Sequence, residues 1–232
     1  MIADRVAAVR ERIARAAARA GRKSEDVTLV AVSKTQGPEI VRAAFAAGLR
    51  VFGENRVQEA EAKAATLADL RAAGLAWHLV GHLQVNKARK AAPLFDLIHS
   101  VDSAELGRKL AGEGGRPQRA LVQVDLAGEE TKFGVPEADL PAVLEGLRAL
   151  PGLRVEGLML IPPFFEEPER TRPFFQRLRA LRDDALDRGL LAAGSLSMGM
   201  SHDFEVAIEE GATFVRVGTA IFGERKGPPP AV

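Results

Sequence analysis

The 232-residue chain has no cysteine, no tyrosine, a single tryptophan and four methionines. Without cysteine there can be no disulfide, no thiolate chemistry and no cysteine-built metal site, and a cytoplasmic location is expected. No apolar stretch approaches the length of a membrane span, so no membrane association is expected. The N-terminus, Met1-Ile-Ala-Asp-Arg-Val-Ala-Ala-Val-Arg10, scatters charge through its apolar residues and lacks the apolar core of a signal peptide. An excess of one charge is missing too. There are 32 basic and 31 acidic residues, net +1, which leaves no electrostatic footprint for nucleic acid or an anionic membrane. What remains, 47% apolar and 27% charged, is the composition of a globular protein with a sizeable core.

Residues 2–20 place Ile2, Val6, Val9 and Ile13 at helical spacing, with arginines between them as a solvated face and Gly21 as C-cap. Short apolar runs then alternate with helix-like segments. The runs are Val27–Ser33, Arg50–Gly53, Trp77–Gly81, Leu94–Val101, Ala120–Leu126, Arg154–Met159, Ser195–Met198 and Thr213–Val217. The helices expected between them are Glu39–Ala47, Arg56–Ala73, Asn86–Ala91, Ala104–Gly112, Pro136–Ala149, Thr171–Arg188 and Asp203–Glu210. Near-continuous apolar runs read as parallel strands buried on both faces. Eight alternations in this length predict a single α/β domain, a (β/α)₈ TIM barrel with an extra N-terminal helix, over residues 1–225. The competitor is a doubly wound open sheet, but no G-x-G-x-x-G follows any strand. The proline-rich tail, 226–232, has nothing to bury and is expected to be disordered.

Barrel sites lie at the carboxyl ends of the strands, and phosphate sites often form from the loops after strands seven and eight. Lys34 ends the first run, either as an electrophile-capturing amine or as a side chain snorkelling out of the rim. Ser201, in the seventh loop, can cap a helix or offer its hydroxyl to an anion. Gly218 and Thr219 lie where the eighth strand turns out, as a chain turn or as the close backbone of a phosphate cradle. Arg216 shares their side of the strand and needs a ligand acceptor or a carboxylate such as Glu54 or Asp125. Asn55 reads as a ligand hydrogen bonder or a helix N-cap. His78 and His82 are spaced i, i+4, but the intervening Gly81 and the lack of a carboxylate at ligand spacing argue against zinc. Lys132 reads as part of a charged loop at the rim. A lysine facing a phosphate cradle suits an aldehyde that carries a phosphate, since desolvated lysine forms Schiff bases. Pyridoxal 5′-phosphate and a sugar phosphate handled by a Schiff-base aldolase both fit.

Six stretches resemble one family. Val30-Ala-Val-Ser-Lys-Thr35, Phe52-Gly-Glu-Asn55, Trp77-His-Leu-Val-Gly-His-Leu-Gln-Val-Asn-Lys87, Gly157-Leu-Met-Leu-Ile-Pro-Pro163, Leu196-Ser-Met-Gly-Met-Ser201 and Val215-Arg-Val-Gly-Thr-Ala-Ile-Phe-Gly223 look like the pyridoxal phosphate homeostasis proteins. This is the YggS/PROSC group of single-domain relatives of the alanine racemase barrel. The resemblance runs from about residue 27 to 225. It implies pyridoxal 5′-phosphate held as a covalent aldimine on Lys34, its phosphate on Ser201, Gly218 and Thr219, Arg216 at the pyridine nitrogen, and Asn55 lining the cofactor. Arg56 stands where many members carry tyrosine, and Leu160 where alanine or threonine is common. The family implies cofactor storage and delivery to apo-enzymes, not established turnover.

Racemisation needs a base on each face of the substrate, and in alanine racemases the second is a tyrosine from a further domain. This chain has no tyrosine and no second domain is expected, although His82 or His202 could substitute in principle. An arginine at the ring nitrogen cannot accept a proton, so it would weaken the ring as an electron sink. The expectation is a monomeric carrier rather than an enzyme, with an amino-acid racemase or an aldolase as the alternative.

Overall fold

The computed structural model describes residues 1–112, 116–128 and 133–224, which leaves Lys132 and the proline-rich tail outside the described residues. Eight parallel strands form the barrel: β1 (Thr28–Val32), β2 (Val51–Glu54), β3 (Ala76–Leu79), β4 (Leu97–Val101), β5 (Gln118–Asp125), β6 (Leu153–Met159), β7 (Ser195–Met200) and β8 (Phe214–Val217). Each pairs with its neighbours in chain order, and β8 returns to β1 with Val30 opposite Arg216. The β4–β5 pairing, Ile98 against Ala120 and Val101 against Val122, completes the closure. A closed sheet has no edge to protect, and the open-sheet competitor is excluded. A two-residue strand, Val135–Pro136, pairs outside β5.

Helices follow the strands at Pro38–Ala46, Val57–Thr66, Ala88–Leu94, Ala104–Ala111, Leu140–Arg148, Arg172–Asp187, Phe204–Glu209 and Thr219–Phe222. The helix expected over 56–73 is interrupted at Leu67, whose φ of −113° and ψ of 27° split off Ala68–Ala72. Leu67 is fully buried, and packing of this side chain overrides the uniform helical pattern. The stretch expected to be helical from Pro136 begins instead with that short strand and a 3₁₀ turn, Glu137–Asp139.

The N-terminal helix, α1 (Ile2–Arg19), lies on the side of the barrel, against Phe204–Glu209, Thr219–Phe222 and Pro38–Ala46. Val6, Val9, Ile13, Ala16 and Ala17 are its buried face. Each fully buried valine or isoleucine there contributes about 1.5–3 kcal/mol. The helix after β8 is a single turn, too short to cover β8 and β1, and α1 covers them in its place. Its arginines are not merely a solvated face: Arg12 pairs with Glu205 and Arg19 with Glu209, both at 2.8 Å.

Two apolar regions result. The larger fills the space between sheet and helices. A smaller one inside the barrel comprises Leu97, Leu121 and Met159, with Ile161 and Phe214 against them. No helix among the described residues is long and apolar enough to cross a membrane.

Candidate functional site

At the carboxyl ends of the strands a cavity of about 340 Å³ opens, within the size range of small-molecule sites. Lys34, Asn55, Ser201, Arg216, Gly218 and Thr219 all line it. Among its lining residues are two basic side chains, Lys34 and Arg216, and no carboxylate. That balance suits an anionic ligand.

Backbone geometry presents these groups. The β7–β8 ladder is interrupted between Ser197 and Met200, where Gly199 adopts φ 89°. A Cβ there would lie 2.5 Å from Ala207 Cβ and 2.8 Å from Phe204 Cα. Irregularities of this kind re-aim the following side chain, and Ser201 turns across to β8. Its hydroxyl caps no helix of its own loop. Instead it accepts hydrogen bonds from Gly218 N–H at 3.2 Å and Ala220 N–H at 3.4 Å. Two amides and one hydroxyl thus converge at long distances where β8 turns out, an arrangement of the kind that can accept an anion. Asp203 secures the loop by accepting from Met200 N–H at 2.6 Å, and burial pushes its carboxyl above the usual range. Gly199→Ala should cost about 2–4 kcal/mol through left-handed backbone and overpacking together. Urea denaturation measures this, and a loss under 1 kcal/mol would show that the loop tolerates the side chain.

Arg216 is fully buried and finds neither Glu54 nor Asp125. Glu54 pairs with Lys63, and Asp125 Oδ1 accepts from Ala127 and Gly128 N–H. Arg216 instead donates from Nη1 to Ser197 Oγ at 2.7 Å and from Nη2 to Leu160 O at 2.9 Å. The contact to residue 160 is through its carbonyl, so leucine in place of a smaller residue leaves it intact. Burial pulls the guanidinium down to about 10, with the field of Asp203 opposing. It remains charged at neutral pH.

Behind Arg216 runs a chain of hydrogen bonds through the barrel interior. Ser197 Oγ lies 2.7 Å from His99 Nδ1, and His99 Nε2 lies 3.0 Å from His78 Nδ1. Burial pulls His78 down to about 3 and His99 well below the usual imidazole range, so both are neutral. Arginine has only donors, so Ser197 Oγ accepts from it, and the orientation that leaves no hydroxyl proton unpaired gives that proton to His99 Nδ1. His99 then donates from Nε2 to His78. The sequence offered a signal, a polar His99-Ser100 pair inside an otherwise apolar strand.

Asn55 caps no helix; the N-cap of Val57–Thr66 is Arg56. Gly81 lets the chain pass close against Asn55, since a Cβ on it would clash with the Asn55 backbone. His78 and His82 do not converge. His82 Nδ1 lies 3.2 Å from Asp102 Oδ2, and its ring stacks on Phe133 at 3.6 Å. Neither residue lines the cavity, while His202 does, with Nε2 2.9 Å from Glu166 O. Sequence reasoning had not singled out the exposed Phe164, nor Thr35 and Gln36, all of which line the cavity.

An amine, a guanidinium and an anion concavity around one small cavity fit a phosphorylated aldehyde with a basic ring nitrogen. The alanine racemase N-terminal domain family matches residues 5–226. The fold is that of this barrel class. Alanine racemase of Corynebacterium glutamicum shares the fold at 21% identity and a TM-score of 0.70, over 96% of this chain and 62% of its own. Within the class, the chain is 47% identical to the pyridoxal phosphate homeostasis protein of Aquifex aeolicus, over 96% of this chain and 98% of the relative. The Pseudomonas aeruginosa protein of that name is 47% identical over 99% and 98%. PipY of Synechococcus elongatus, solved with pyridoxal phosphate bound, superposes with a TM-score of 0.85 at 43% identity, over 96% of this chain and all of PipY. The chain belongs to the pyridoxal phosphate homeostasis protein family.

Proposed function

We propose that residues 1–225 form a pyridoxal 5′-phosphate-binding domain that stores the cofactor for apo-enzymes and does not turn over amino acids. The observation that carries this reading is the convergence of Lys34, Arg216 and the Ser201–Gly218–Thr219 concavity on one cavity without a lining carboxylate. Lys34 Nζ would hold the cofactor through a covalent imine bond. Ser201, Gly218 and Thr219 would hold its phosphate, Arg216 would donate to its ring nitrogen, and Asn55 would line its side. When bound, the cofactor supplies an electrophilic aldehyde and a ring able to withdraw electrons.

Arg216 cannot protonate that nitrogen, and its positive charge opposes a proton there. The chain has no tyrosine to act as the second base that racemisation needs, and among the described residues His82 is turned to Asp102 and does not line the cavity. These features support storage over racemisation. Among the described residues the exposed large apolar side chains are Met1, Phe133, Phe164 and Leu186. They are too few for a permanent interface, and we expect a cytoplasmic monomer, checked by light scattering.

Adding pyridoxal 5′-phosphate should produce a visible absorption band that borohydride removes, and Lys34→Ala should lose both. A protein that stays colourless refutes the reading. Loss of optical activity of L-alanine above that given by free cofactor would establish a racemase instead. Cleavage of a sugar phosphate by the untreated protein would favour the aldolase.

A further inference from the structure

Lys34 lies two residues past the end of β1, and the peptide groups on both sides of it are gripped by side chains that do not line the cavity. The Ser33 carbonyl accepts from Lys63 Nζ at 2.7 Å. The Thr35 N–H donates to Glu59 Oε1 at 2.5 Å. Lys63 links the two grips, since its Nζ also donates to Glu59 Oε1 at 2.7 Å and to Glu54 Oε1 at 2.8 Å. Ser33 Oγ completes the cluster by donating to Glu54 Oε1 at 2.7 Å. Lys63, Glu59 and Glu54 do not line the cavity, whereas Lys34, Thr35 and Gln36 do.

Stability alone does not account for this cluster. Lys63 and Glu54 are 6% and 0% exposed, and burying such a pair costs about as much as it returns. Glu54 Oε2 is buried with no hydrogen-bond partner. Thr35 adopts φ 67°, the one non-glycine residue with positive φ among those described. For a β-branched residue that conformation costs roughly 1–3 kcal/mol and persists only where its surroundings enforce it. Enforced strain and buried charge thus coincide on the residues that flank one lysine.

We propose that Lys63 and Glu59 are positioning residues that clamp the two peptide groups beside Lys34 and aim its amine across the cavity. They touch no ligand. Freed from the clamp, Thr35 relaxes to negative φ, and the peptide rotation carries Lys34 away from the Ser201–Gly218–Thr219 side. Binding of ring and phosphate, which uses the β7 and β8 loops, is then preserved while capture of the aldehyde slows. The inference rests on the reading of Lys34 as the capturing amine.

The test uses Glu59→Ala, which leaves the Lys63–Glu54 pair in place and removes the acceptor of Thr35 N–H. Glu59→Gln keeps an acceptor there and serves as the rescue. Two quantities are compared: the rate at which the visible band grows on mixing with pyridoxal 5′-phosphate, and the affinity for pyridoxine 5′-phosphate, which has no aldehyde. Glu59→Ala should slow capture by about tenfold or more, as expected when a reacting group is misplaced by a fraction of an ångström to an ångström. Its pyridoxine 5′-phosphate affinity should stay within about twofold, a change worth under 0.5 kcal/mol. Glu59→Gln should keep most of the wild-type rate. Unchanged capture in Glu59→Ala overturns the clamp, and so does a parallel loss of both quantities. A wild-type protein that binds pyridoxine 5′-phosphate but develops no band overturns the reading of Lys34, and the clamp with it.

Discussion

Lys63→Met should destabilise the protein by about 3–5 kcal/mol at neutral pH, the cost of leaving one member of a buried ion pair without its partner. Glu54 is the member left behind. Burial already raises its carboxyl above the ordinary glutamate range, with Lys63 and Ser33 holding the rise in check. Removing the ammonium removes the largest of those opposing influences, so the folded-state pKa climbs further. A raised carboxyl means that the native state binds more protons than the unfolded state between the two pKa values. Stability is therefore highest below the unfolded pKa and falls as pH rises through the folded one. The Lys63→Met penalty should accordingly shrink at pH 5 relative to pH 8, as measured by urea midpoints at both. Adding Glu54→Leu should recover most of the loss, because replacing both charges with apolar groups of similar size is close to neutral. A penalty that is equal at both pH values, and that Glu54→Leu does not relieve, would mean that Lys63 acts through its packing alone.

Lys63 also marks the limit of what the sequence discloses. The eight strands were legible because each is a short apolar run, and counting them placed Lys34, Ser201, Arg216 and Gly218 at one end of a barrel. That placement needs only chain order and the alternation of side chains along a strand. The clamp depends on more. A lysine four residues after Glu59, on the same face as the buried Val57 and Ala60, is a visible anomaly in a helix pattern. Its partners, the Ser33 carbonyl just past β1 and Glu54 at the end of β2, meet only through a strand register that no local pattern gives. The Arg216–Ser197–His99–His78 chain is hidden for the same reason, since its members lie on β8, β7, β4 and β3. Of the two partners weighed for Arg216, a ligand acceptor or a carboxylate such as Glu54 or Asp125, the carboxylate is not what it meets, since the Ser197 hydroxyl and the Leu160 carbonyl take its donors. The site of α1 depended on the brevity of the last helix, a property of the loop after β8 that was read as a phosphate turn and not as a missing cover.

Arg216→Met should move two measurements in opposite directions. Without ligand, the wild-type protein buries a guanidinium whose hydrogen bonds go to Ser197 and Leu160 O, and among the described residues no carboxylate lies within ion-pair distance. A buried ion with no carboxylate in contact costs several kcal/mol even with the field of Asp203 on its side, while leaving the Leu160 carbonyl unpaired costs about 1–3 kcal/mol. The first exceeds the second, and Ser197 keeps His99 as partner, so the ligand-free variant should be more stable by about 1–3 kcal/mol. Affinity for pyridoxal 5′-phosphate should fall, since a hydrogen bond from a charged donor is worth about 1.5–3 kcal/mol, roughly 10- to 150-fold in binding. Stability given up for a ligand contact is the signature of a binding residue. If Arg216→Met bound the cofactor as tightly as wild type and melted lower, Arg216 would be a structural element of the barrel interior, and the donor chain that ends on it would serve the fold and not the site.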